Sequence, residues 1–157
     1  MISEISKTGD KAQLVAVGRL LKREGLPVSD FHQVDWLALL VWTDGDNILG
    51  AGGIQRCGDS ILLRSIVTDR DYQGHGIASK LIGRLHTIAQ DNHYEEIYLL
   101  TTDAENYFKG ELLGSKSSKN TLDYQSIERE YAPLSIVHSS QFSELCPASA
   151  VLMKKQL

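Results

Sequence analysis

The residues best placed to do chemistry lie in one stretch, Asp71-Tyr72-Gln73-Gly74-His75-Gly76-Ile77-Ala78-Ser79-Lys80. Two glycines one residue apart mark a backbone that bends sharply or is closely approached. Behind them Ile77, Leu81, Leu85 and Ile88 recur at helical spacing, so the turn feeds an amphipathic helix. The first turn of a helix carries unpaired N–H groups and the positive end of the macrodipole. Small residues there leave those donors open to a phosphate or pyrophosphate; a plain tight turn is the alternative reading. Two other phosphate motifs fit poorly. Ser79-Lys80-Leu81 has neither the glycine nor the magnesium-binding hydroxyl of a Walker loop. A dinucleotide fingerprint would need a third glycine where Ser79 stands, and a leading parallel βαβ unit.

The flanking sequence predicts the elements that hold this turn. Asp10-Lys11-Ala12-Gln13 resembles a capping box, opening a helix with Leu14, Val17 and Leu21 on one face, stopped by Gly25 and Pro27. A short second helix begins at Ser29-Asp30-Phe31. Strands are expected over 35–43, 48–55 and 60–68, joined by turns at Asp44–Asn47 and Gly58-Asp59. After the glycine turn and its helix, which ends at Asp91-Asn92-His93, come a strand over 96–102 and a short helix over 104–113. A polar loop at 114–120 follows, then a helix within 133–145 with Ser139 or Ser140 as its cap, and a last strand over 148–153. The whole reads as one mixed α/β domain over residues 1–157, with antiparallel strands leading.

Composition narrows the function class. The chain has 157 residues, 42% hydrophobic and 23% charged, enough for one domain with a core. A net charge of −4 argues against a nucleic-acid partner, and no apolar run is long enough to span a bilayer. The N-terminus lacks the basic and apolar regions of a signal peptide, so a cytoplasmic location is expected. Cys57 and Cys146 fit no metal spacing and read as reduced thiols; no metal site is expected.

Gln73-x-x-Gly76-x-Ala78 resembles the Q/R-x-x-G-x-G/A motif of the GCN5-related N-acetyltransferases (GNAT), set as in that family between a strand and a helix. A closer resemblance runs over most of the chain. Gly25-Leu26-Pro27 with Asp30 and Phe31, Leu62-Leu63-Arg64-Ser65, Leu99-Leu100-Thr101-Thr102, and Phe142-x-x-Leu145-Cys146-Pro147-x-Ser149-Ala150-x-x-Met153 are similar to the second type of arsenic-resistance N-acetyltransferase.

The resemblance implies the acyl-CoA N-acyltransferase fold, acetyl-CoA as cosubstrate and direct transfer of acetyl to a small-molecule amine. It implies that Gln73, Gly74, His75, Gly76, Ile77, Ala78 and Ser79 hold the pyrophosphate. Ile66, Val67 and Thr68 would pair their backbone with pantetheine, a bulge freeing an N–H for the thioester carbonyl. The family's acid is a tyrosine in the frame Asn-x-x-Ala-x-x-x-Tyr; here the frame is Thr101-x-x-Ala104-x-x-x-Phe108, with Tyr107 one residue early. One helical step turns a side chain by about 100°, so Tyr107 is a candidate acid beside the alternative of a packed tyrosine. Tyr124 and Tyr131 are further candidates without a position, and the glycine expected after this helix is displaced to Gly114.

Arg64 stands mid-strand among leucines and isoleucine, where a lone buried cation is expensive. Its partner is either an internal carboxylate or the anion of an amino-acid-like substrate. His75 is expected to be exposed, and Glu128 and Arg129 to form a surface pair. A non-catalytic acyl-CoA-binding module is the other function class, and both a monomer and a homodimer remain open.

Overall fold

The computed structural model describes residues 1–5, 11–110 and 122–157. The capping residue Asp10 and the polar loop at 114–120 lie outside them. In chain order the described elements are β1 (Ile2–Glu4), α1 (Lys11–Arg23), β2 (Trp36–Asp44), β3 (Asn47–Cys57), β4 (Ser60–Thr68) and α2 (Ile77–Asp91). They continue with β5 (Glu96–Thr101), α3 (Glu105–Lys109), β6 (Gln125–Ile127), α4 (Leu134–Val137) and β7 (Val151–Gln156). One seven-stranded sheet runs β1-β2-β3-β4-β5-β7-β6. All its pairings are antiparallel except β4 with β5.

The apolar runs of β2 and β4 are continuous because both faces of the sheet are covered. On β2, Ala38 and Leu40 face one core with Ile77, Leu81, Ile82 and Leu85 of α2. Leu39 and Val41 alternate to the other face, against Val17, Leu20 and Leu21 of α1. A third cluster joins Leu62, Tyr98 and Leu100 to Ile136 of α4. Glycines on β3 admit large neighbours: a Cβ on Gly53 would lie 2.4 Å from the Trp36 ring. Gly25, at φ +80°, ends α1, and the Leu26 N–H returns to the Leu21 carbonyl at 2.9 Å.

Several expectations need correction. The edge strands β1 and β6 are each three residues long, too short for an alternation signal. The helix expected within 133–145 is two pieces, α4 and a separate π-helical turn Gln141–Leu145. Ser140 precedes that turn without capping it through its side chain, while Ser139 Oγ accepts from the Phe142 N–H. The last strand is shifted to Val151–Gln156. α3 closes at Gly110, φ +79°; the Gly114 expectation lies outside the described residues. Arg129 does not pair with Glu128; it donates to the carbonyls of Pro147 and Ala150 and stacks on Phe142.

Two buried polar pairs tie the layers together. Arg64, on β4, forms a two-pronged ion pair with Asp30 at 2.7 Å per prong and also donates to Gln55 Oε1. Burial pushes the Asp30 carboxyl up, but hydrogen bonds from Arg64 and Ser140 and the Arg64 charge outweigh it and hold the pKa below the ordinary value. Removing one partner strands the other, so Arg64→Ala and Asp30→Ala should each lose about 3–5 kcal/mol of stability in urea. The double variant should lose less than the sum.

His86 of α2 shares a 2.7 Å hydrogen bond with the Tyr124 hydroxyl in the core. Burial, with Lys155 adding repulsion, pushes the His86 pKa down to about 4. Below pH 6.5 the unfolded chain takes up a proton that folded His86 refuses, so stability falls as pH drops from about 6.5 to about 4. The loss is about 3 kcal/mol. Denaturant melts between pH 7 and pH 4.5 should show this slope, and His86→Gln should flatten it.

Candidate functional site

The site is built where β4 and β5 part. Their one register pair among the described residues is Leu62 with Tyr98. Just beyond it β4 bulges: Gly53 pairs with Arg64 and Ala51 with Val67, so Ser65 and Ile66 face the single residue Gly52. Ser65 takes φ +58°, a left-handed conformation unusual for a non-glycine and commonest at functional positions. A bulge bends a strand and raises its twist, which turns the second half of β4 away from β5.

The gap becomes a cleft of about 1060 Å³. Ile66, Val67 and Thr68 form one wall and Leu99 to Ala104 the other. The glycine turn contributes Gln73, Gly74, Gly76, Ile77, Ala78 and Ser79. Gly25-Leu26-Pro27, from the end of α1, and Gln141, Leu145, Cys146 and Pro147 complete the lining. The structure therefore gathers nearly every residue singled out from the sequence. His75, Tyr124 and Tyr131 are not in the lining; His75 is exposed, with Nδ1 against the carbonyls of Tyr72 at 3.0 Å and Gln73 at 3.1 Å.

The glycine turn is open. Gly74 and Gly76 have φ of +83° and +79°, and a Cβ on either would meet nothing within 4 Å. Gly76 is the N-cap of α2 and offers no side chain to its first N–H groups, so those donors face the cleft end unshielded. Asp69, whose carboxylate accepts from the Asp71 N–H, shapes the approach to this turn. Salt bridges from Arg23 to Asp69, 2.7 Å, and from Arg70 to Glu24, 3.3 Å, tie it to the end of α1.

Tyr107 lines the cleft, and its hydroxyl lies 2.9 Å from Ser79 Oγ in the first turn of α2. Burial raises its pKa, opposed by the Ser79 hydrogen bond, so the phenol is protonated at neutral pH. Phe108 turns into the core, packed edge-on against Tyr124. Tyr124 is itself buried with His86, and Tyr131 is 72% exposed, outside the cleft lining. Of the two partners considered for Arg64, the structure supplies the internal carboxylate. Asp30 takes the Nη1–Nη2 edge of the guanidinium with both oxygens.

Sequence reasoning gave Asp30 and Gln141 no place at the site, and Ser140 only that of a candidate helix cap. Ser140 Oγ donates to Asp30 Oδ2 across 110 positions of chain, and no local pattern signals such a contact. The strings at 25–31 and 142–153 flagged both regions without saying that they meet. Cys57 and Cys146 are free thiols, and among the described residues no cluster of three or more potential metal ligands occurs. No described helix is long and apolar enough to cross a membrane.

Comparisons with known proteins agree with this geometry. A protein of Mycobacterium tuberculosis, solved in complex with CoA, superposes with a TM-score of 0.70 at 15% identity, covering 100% of this chain and 99% of that one. A GNAT-family acetyltransferase from Staphylococcus aureus gives 0.72 at 14% identity, with coverage of 100% and 99%. An aminoglycoside 6′-N-acetyltransferase complexed with coenzyme A gives 0.65 at 15% identity, with coverage of 99% and 96%. Among curated proteins none matches the sequence significantly. The model of the acetyltransferase (GNAT) family matches residues 15–109, from α1 through the split sheet and glycine turn to α3, and the chain belongs to that family.

Proposed function

We propose that the protein is an acetyl-CoA-dependent N-acetyltransferase acting on a small-molecule amine, working in the cytoplasm as a monomer or homodimer, with one catalytic domain over residues 1–157. The observation that carries this reading is the cleft itself: an open helix N-terminus and a bulged strand share one continuous lining with Gly25-Leu26-Pro27. The pyrophosphate of acetyl-CoA lies against the N–H groups of residues 73–79, and pantetheine adds to the free edge of β4 along Ile66, Val67 and Thr68. The thioester then reaches the bulge, where a backbone N–H stabilises the oxyanion. The amine enters past Gly25-Leu26-Pro27 and attacks the carbonyl carbon. A C–N bond forms, the C–S bond breaks, the amine loses a proton and CoA leaves as the thiol. The string at 142–153 supports a place near the arsenic-resistance subgroup, whose name describes gene context rather than a substrate.

Release of CoA thiol from acetyl-CoA with a panel of small amines tests the reading. CoA binding without release for any amine would instead favour a non-catalytic module. Gly76→Asp places a negative charge against the pyrophosphate and a side chain at φ +79°. CoA affinity by calorimetry should fall about tenfold or more. Unchanged affinity in the folded variant would remove the turn from the site.

The Ser79 contact favours Tyr107 as a residue that positions the cradle over Tyr107 as the acid. Tyr107→Phe should therefore weaken CoA binding a few-fold and leave turnover at saturation within about tenfold of wild type. A general acid contributes about a hundredfold or more. A loss of that size in kcat, with CoA affinity intact, would assign Tyr107 as the proton donor.

A further inference from the structure

Among the described residues, two that are not glycine take a positive φ: Ser65 at +58° and His93 at +66°. His93 follows the cap residue Asn92 at the end of α2, where a left-handed residue is an ordinary way to close a helix. Ser65 closes no helix. It sits in the β4 bulge, where glycine would take the same φ without strain. A serine held in that conformation points to a use for its side chain.

Ser65 is 7% exposed and lines the cleft. Its Oγ has no hydrogen-bond partner among the described residues, yet it is not sealed from solvent. The buried side-chain atoms sealed without a partner are Arg64 Nε and Gln141 Oε1. The Ser65 hydroxyl therefore keeps open surface, and the cleft is the opening that Ser65 lines. Other hydroxyls of the lining are committed. Ser79 and Tyr107 hold each other, and Thr101 accepts from the Ala104 N–H.

We infer that Ser65 Oγ–H is a catalytic hydrogen-bond donor to the thioester carbonyl oxygen, acting beside the backbone N–H of the bulge. The inference rests on the acetyl-transfer reading.

A nucleophilic serine would need a base within hydrogen-bond reach, and Ser65 Oγ has none. An unionised hydroxyl offers one donor and two lone pairs. As the amine nitrogen bonds to the carbonyl carbon, the C=O π pair moves onto oxygen, and Oγ–H donates to it while keeping its proton. On collapse the pair returns and the C–S bond breaks. Sulfur leaves with the bonding electrons and takes up the proton that the amine loses, so Ser65 ends unchanged. A donor aimed where charge develops acts most strongly in a site that excludes water. Ile66, Leu99 and Leu100 contribute apolar surface to the same lining.

Ser65→Gly tests the hydroxyl apart from the backbone, since glycine adopts φ +58° freely. The probe is acetyl-CoA labelled with carbon-13 at the carbonyl, bound to the full chain and read by isotope-edited infrared spectroscopy, which needs no acceptor amine. On wild type the carbonyl band should lie at lower frequency than in free acetyl-CoA, and Ser65→Gly should move it back toward the free position. Acetyl-CoA affinity by calorimetry should stay within about threefold of wild type. With the amine that releases thiol fastest, kcat should fall about a hundredfold or more. A band that does not move, or a kcat within about threefold of wild type, would overturn the inference and leave the acetyl-CoA reading standing. Affinity lost with the band unmoved would make Ser65 a structural residue of the bulge and also overturn it. Failure of wild type to bind acetyl-CoA would remove both the reading and the inference.

Discussion

The cleft exists because β4 and β5 cannot remain paired beyond Leu62 and Tyr98. Parallel strands joined by a helix normally run side by side in a sheet covered on both faces. Here the extra residue at Ser65-Ile66 breaks the β3–β4 register and bends β4. Two consequences follow from that one irregularity. The β4 edge facing the gap keeps backbone groups that no neighbouring strand satisfies. The C-terminal ends of β4 and β5 also carry their loops apart, which sets the glycine turn after β4 and the short helix after β5 on opposite sides of a common opening.

A bulge with a left-handed serine stores strain, and something must hold it. Arg64, the residue before Ser65, is well placed to do so. Its guanidinium is fixed by Asp30 and Gln55 and lies over the Trp36 ring at 5.8 Å. Through Asp30 the same cluster reaches the segment after α1, and through Ser140 the segment before β7. The segments after α1 and before β7 are thus bonded to the strand that forms the side of the cleft. A mostly buried ion pair of this kind is weak evidence for net stability, since desolvation offsets much of its Coulombic gain. Its directional bonds fix where the loops sit.

The glycine turn relies on a different physics. Gly74 and Gly76 supply positive φ without a Cβ, and the α2 N-terminus supplies donors and a dipole. The open donors there are backbone N–H groups rather than charged side chains, so an acidic chain can still offer them. Tyr107 links this end to α3 through Ser79, and Phe108, turned into the core beside Tyr124, anchors the same helix from behind.

Local sequence determined what local physics controls. The glycine turn, the stripe of Ile77, Leu81, Leu85 and Ile88, and the apolar runs of β2 and β4 each follow from periodicity, φ preference or strand-length burial, and the structure places them as read. The isolation and cost of Arg64 were also legible, because a cation among leucines demands a partner wherever the chain goes. Which partner it takes was not, since Asp30 lies 34 residues away and Ser140 a further 110 from Asp30. Short edge strands such as β1 and β6 hold too few residues to show alternation, and the division of 133–145 into two turns depends on what each packs against. The sequence alone determined the longer strands, α1, α2 and the glycine turn. Only the tertiary structure decided the opening between β4 and β5 and the company of Arg64, because those are contacts across the chain whose energy exists only once distant segments are brought together.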